Sequence, residues 1–68
     1  MADHVYKTIE ITGTSSKGVD DAVRVAIEKA SQSVRNLRWF KVTDMRGNIE
    51  GGKIDHWQVT MSIGFTLD

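Results

Sequence analysis

Few side chains of this 68-residue chain are equipped to bind or transform something. Trp39 offers a flat, electron-rich surface on which a planar heterocycle can stack, and Gln58 combines a carbonyl acceptor with an N–H donor, the groups that read the edge of such a ring. Arg46, just ahead of Gly47, has two readings: a strand-end charge, or a forked donor for a ligand phosphate. His4 and His56 stand beside Asp3 and Asp55 but lack metal-site spacing, and read as terminal or hairpin-surface residues. No nucleophile, base and orienting group occur together, so the chain is not expected to be an enzyme. Gly13-Thr14-Ser15-Ser16-Lys17-Gly18 resembles a phosphate loop in part, but it lacks the Gly-Lys-Ser/Thr end and reads more simply as a helix cap.

Four elements must position these groups. Val5, Lys7, Ile9 and Ile11 alternate with Tyr6, Thr8, Glu10 and Thr12, a period of two that predicts a strand, which Gly13 is expected to end. Ser15 is the expected N-cap of the helix that follows, with Asp20 and Asp21 at the favourable end of its dipole. Val19, Ala22, Val23, Ala26, Ile27, Ala30 and Val34 recur as one helical stripe, and Asp20 and Arg24 are spaced to pair on the solvated side. Asn36 tolerates the left-handed conformation that closes a helix. A second strand is predicted from about Arg38 to Ile49. Glu50-Gly51-Gly52-Lys53 then forms a tight hairpin, and the third strand sets Trp57, Val59, Met61, Ile63, Phe65 and Leu67 on one face. With no linker, repeat or low-complexity stretch, residues 1–68 read as a single α+β domain of order β-α-β-β. Placing the third strand in the middle makes every pairing of the three-stranded sheet antiparallel.

Counting outward from the two glycines opposes Phe40 to Ile63 and Val42 to Met61, which suits the helix-covered face. Trp39, Lys41, Thr43 and Met45 then fall on the other face, beside Gly64, Ser62, Thr60 and Gln58, provided that no bulge intervenes; Gly47 is the expected place for one. Trp39 opposite Gly64 leaves room for a stacked heterocycle. Periodicity alone favours a subunit interface for the same indole, and both readings hold if a ligand sits in the interface.

Nine Lys plus Arg balance nine Asp plus Glu, and neither cysteine nor proline occurs. Zero net charge argues against a nucleic-acid or membrane-surface binder, and no apolar run is long enough for a membrane helix. The opening Met1-Ala2-Asp3-His4 does not read as a signal peptide, so a cytoplasmic location is expected. A chain this short has a marginal core and no disulfides, which leaves oligomerisation as its means of stabilisation.

The order and spacing of Thr12-Gly13-Thr14-Ser15, the amphipathic helix, Asn36-Leu37-Arg38-Trp39-Phe40-Lys41-Val42, Arg46-Gly47, and Trp57-Gln58-Val59 through Gly64-Phe65-Thr66-Leu67 resemble the dodecins. The resemblance implies a sheet wrapped around one helix, and a hollow homododecamer that stores flavin (FMN, riboflavin or FAD) and protects it from photochemistry. It implies that Trp39 stacks on the flavin and Gln58 hydrogen-bonds its pyrimidine edge, with Arg46 placed to meet a phosphate and Asp44 close to the site. Trp57 stands where relatives often have Tyr, and Thr66 where some have a basic residue, a departure that bears on phosphate or coenzyme A binding more than on ring binding. A shell holding coenzyme A or another nucleotide-like ligand, or a purely structural assembly, is the alternative.

Overall fold

The computed structural model describes residues 3–67; Met1 and Ala2, which begin the segment read above as lacking a signal peptide, lie outside the described residues, as does Asp68. Strand β1 (Tyr6–Ser15) leads into helix α1 (Val19–Ser31), followed by β2 (Leu37–Glu50) and β3 (Lys53–Thr66). The sheet order is β1-β3-β2 with both pairings antiparallel, as the alternation predicts. The hairpin turn is also as expected: Gly51 and Gly52 both take positive φ, 58° and 77°, and Glu50 pairs with Lys53.

Gly13 does not end the first strand, which continues to Ser15 with Gly13 opposite Val59. Its value lies in the missing Cβ. A methyl group there would run into the carbonyl oxygen of Ala22 and lie 2.8 Å from the Ala26 Cβ, so the glycine lets the helix backbone rest directly on the sheet. Ala22, Ala26, Val59, Met61 and Ile63 form the buried core at this contact, with Ile9, Ile11, Val19, Val23, Ile27, Ala30 and Leu37 packed around it. Val34, the last residue of the expected stripe, lies beyond the helix end.

The helix starts differently from expectation. Gly18 occupies the N-cap position and makes no side-chain cap, while the Ser15 hydroxyl donates to Asp21 Oδ2 at 2.7 Å and accepts the Lys17 N–H at 2.9 Å. Ser15 therefore braces the loop and a helix carboxylate. Arg24 pairs with Asp21 at 2.6 Å and Glu28 at 2.9 Å rather than with Asp20. Asn36 does take the left-handed conformation, φ 66°, but it turns the chain into β2, the helix having already ended at Ser31.

Three bulges make the hairpin register differ from simple counting, the outermost at Arg38, an extra residue in β2 between the Leu37–Phe65 and Trp39–Gly64 pairs. Asp55 is an extra residue in β3, between the Ile49–Ile54 and Asn48–His56 pairs, and Thr43 is an extra residue in β2, between Val42–Met61 and Asp44–Thr60. The Thr43 hydroxyl reaches across to the Thr60 carbonyl at 3.3 Å. Gly47, the expected bulge, pairs regularly with Trp57. From Val42 to Trp39 the count from the turn holds, so Phe40 faces Ile63, Val42 faces Met61 and Trp39 faces Gly64. Between the Asp55 and Thr43 bulges it is displaced by one. Met45 opposes Val59 and joins the helix-side face, while Asp44 and Arg46 oppose Thr60 and Gln58 on the outer face.

The helix rests on β1 and β3. A helix about 10 Å across spans roughly two strands spaced about 4.8 Å apart, so β2 projects beyond its cover. Phe40 and Val42, expected in the covered core, have the right facing but remain 49% and 44% exposed.

Candidate functional site

The outer face of the sheet is built from rows that cross all three strands. In chain-pairing order these are Thr8–Gly64–Trp39, Glu10–Ser62–Lys41, Thr12–Thr60–Asp44 and Thr14–Gln58–Arg46. Strand alternation alone produces this surface, because the opposite positions of β3 are the buried Val59, Met61 and Ile63. Hydroxyls dominate its middle, where Thr12 and Thr60 share a 2.9 Å hydrogen bond.

Trp39 stands at one end. Its indole lies over Gly64 and closes the space expected to be open there: a Cβ on Gly64 would overlap the indole atoms Cε2, Cζ2 and Nε1. Tyr6, on the same face of β1, meets the indole edge-on, with ring centroids 6.1 Å apart and planes at 66°. The indole remains 41% exposed, so one aromatic surface is presented outward. Tyr6 is absent from the sequence-based candidates. Its outward parity was legible, but its closeness to Trp39 depends on the β1–β3 pairing, for which the long crossover through the helix gives no count.

The other end carries the polar candidates. Arg46 and Gln58 are direct cross-strand partners, with Gln58 half-buried between Arg46 and Thr14. The guanidinium of Arg46 is already engaged, since Nη2 lies 2.9 Å and Nε 3.1 Å from Asp44 Oδ2. Both side chains are well exposed, so this pair is weakly held and leaves further N–H donors free of Asp44. The fold thus gathers Asp44, Arg46 and Gln58 but leaves Trp39 apart: Gln58 is six residues along β3 from Gly64, a distance of about 20 Å. One planar ring cannot touch both in a single copy.

His56 and Asp55 lie near the hairpin tip, with Nδ1 2.7 Å from Oδ2. His56 is the main influence holding the Asp55 carboxyl below its ordinary range, with Asn48 also contributing a hydrogen bond. Among the described residues no three His, Asp or Glu side chains converge as a metal site would require. Among the described residues no helix is long and apolar enough to cross a membrane.

Comparison with known proteins places this architecture. A dodecin from Streptomyces davaonensis superposes with a TM-score of 0.94 at 51% identity, covering 98% of each chain. The dodecin of Thermus thermophilus is 38% identical over 64 residues, 94% of this chain and 93% of that one. A Mycobacterium tuberculosis protein described as a calcium-chelating calcium dodecin superposes with a TM-score of 0.81 at 29% identity, covering 94% of this chain and 91% of its own. With the dodecin family profile matching residues 5–68 as well, the chain belongs to the dodecin family.

Proposed function

We propose that this chain binds flavin (FMN, riboflavin or FAD) by stacking the ring on Trp39 at contacts between copies, and that it stores the flavin and quenches its photochemistry rather than turning over a substrate. The observation that carries this reading is the half-exposed indole of Trp39, displayed on a sheet face whose other members, Tyr6 apart, are small or polar. Family membership implies a homo-oligomer, and the separation of Trp39 from Gln58 gives that assembly a role in binding. A ring stacked on Trp39 of one copy can meet a Gln58 amide only from another. We place the site in a closed homododecamer. Gln58 supplies the donor and acceptor that complement a flavin's pyrimidine edge, and the electron-rich indole of Trp39 quenches an excited ring in contact with it.

The Asp44 carboxylate already offsets the Arg46 charge, which favours ring recognition over phosphate recognition as the main source of affinity. Coenzyme A or another nucleotide-like ligand is the competing occupant. A calcium site like that named for the mycobacterial relative finds no support within one copy, given the lack of a converging acidic cluster among the described residues.

Titration with FMN, riboflavin and coenzyme A separates these readings. Flavin emission is expected to be strongly quenched by the wild-type protein, and Trp39→Ala to lose about 1–3 kcal/mol of flavin binding while sedimenting as the wild type does. Absence of flavin binding, or equal affinity in the variant, overturns the proposal. Binding of coenzyme A alone installs the competitor.

A further inference from the structure

An exposed tryptophan on a sheet face ordinarily has several side-chain rotamers open to it, and choosing one costs conformational entropy. Trp39 is restrained from two sides by residues of two other strands. Beneath it, Gly64 is buried by the indole, which occupies the volume that any side chain at that position would need. Beside it, Tyr6 contributes an edge-to-face contact at 6.1 Å from the diagonal position of β1. The aromatic row continues to His4, whose ring centroid is 6.3 Å from that of Tyr6.

We propose that Gly64 and Tyr6 are positioning residues for the Trp39 stack: Gly64 sets how closely the indole lies against the sheet, and Tyr6 fixes the rotation of its plane. Neither need touch the ligand. A planar ring arriving at the outward surface of the indole then meets a plane already held in place, so binding loses less entropy than it would on a free rotor. The specificity consequence is geometric. Raising the indole off the sheet by the height of a methyl group changes the gap between facing copies, and with it the thickness of the stack that fits.

The ligand arm of this inference rests on the flavin reading, whereas the seat itself is measurable without any ligand. In a Trp57→Phe background Trp39 is the single tryptophan, so the dichroism at wavelengths longer than tyrosine absorbs, and indole anisotropy excited there, report on it alone. Tyr6→Leu should flatten the indole dichroism and lower the anisotropy, while Tyr6→Phe, which keeps the ring edge, should retain both. With FMN, Tyr6→Leu should raise Kd about three- to ten-fold and Tyr6→Phe less than about two-fold, at unchanged sedimentation. Gly64→Ala should shift the dichroism and weaken FMN binding further. If that variant fails to fold, the two Tyr6 variants still decide. Ligand-free spectra that are the same for Leu, Phe and Tyr at position 6 overturn the proposal, as does equal FMN affinity across the three. A protein that binds no flavin but shows the spectral changes retains the seat and loses the flavin reading.

Discussion

Arg46 and Gln58 are opposed across the β2–β3 ladder because Asp55, between them and the turn, is one residue more than its strand needs. Without that insertion Met45 would stand opposite Gln58 and Arg46 would turn to the helix side. The bulge also places Asp44 on the outer face, two residues from Arg46, where its carboxylate accepts a hydrogen bond from Nε and lies 2.9 Å from Nη2. The availability of the Arg46 guanidinium to a ligand therefore depends on its neighbour.

Three variants separate ring recognition from phosphate recognition on this basis. Gln58→Ala should weaken riboflavin and FMN alike, by about 1–3 kcal/mol if the ring edge is left buried and unpaired. Arg46→Ala should weaken FMN and spare riboflavin. Asp44→Asn should do the reverse and tighten FMN by releasing the guanidinium. Both charge effects should stay below about 1 kcal/mol at such exposed positions and shrink as salt is added. Quenching titrations at low and high salt read all three, and equal losses for both flavins in Arg46→Ala would assign Arg46 to the hairpin structure alone.

How much of this was legible depends on where counting was possible. The pairs Trp39–Gly64, Phe40–Ile63 and Val42–Met61 were legible because two glycines fix the turn and because the Thr43 and Asp55 bulges, one on each strand, cancel between Val42 and Trp39. The stretch between the bulges was not. Neither Thr43 nor Asp55 is a residue that announces a bulge, while Gly47, which does, pairs normally. Gly13 was misread for a related reason, since a missing Cβ serves a turn and a close helix approach equally well and only the tertiary contact decides. The exposure of Phe40 and Val42 was hidden because periodicity reports which face a residue is on, not how many strands a helix can cover.

The Gly13 contact predicts a stability effect with an internal control. Gly13→Ala should lower stability by about 1–3 kcal/mol, as overpacking does, because the new methyl meets backbone rather than the end of a flexible side chain. Gly18→Ala should stay within about 0.5 kcal/mol of wild type, since its extended backbone and open surroundings admit a Cβ. Urea midpoints of the two variants test the contrast, and similar midpoints would refute it.

Asp21 gives the pH dependence a sign. The Arg24 guanidinium first, and then the Ser15 hydroxyl, hold its carboxyl below the ordinary carboxylate range. A depressed folded pKa contributes stability above the unfolded value, and that contribution is lost as pH falls through the folded one. Asp21→Asn should therefore be less stable than wild type at neutral pH, with the gap closing below about pH 4. A gap that stays constant from neutral pH to about pH 2 would show that the helix start does not depend on the charge.

The displaced register leaves Phe40, Val42, Met45, Ile49 and Ile54 as an apolar strip on the helix side of the hairpin, beyond the helix itself. Ile49 is 73% exposed, and past Trp57 strand β3 pairs with β2 alone. A two-stranded ribbon with one uncovered apolar face is marginal in water, so this part of the hairpin needs another copy to cover it. Met45 lies within the strip, on the face opposite the outer-face groups, which makes it the position at which to test assembly separately from binding. Met45→Lys should put a charge into the contact and break the assembly, and flavin binding should fall with it, because the proposed site takes Gln58 from a second copy. Trp39→Ala should leave the assembly intact, as should Met45→Leu, which conserves volume. Sedimentation velocity at micromolar protein distinguishes these outcomes. A Met45→Lys protein that sediments as the wild type does would move the contact off the strip, and one that falls apart yet still quenches flavin would show that a single copy is enough to bind.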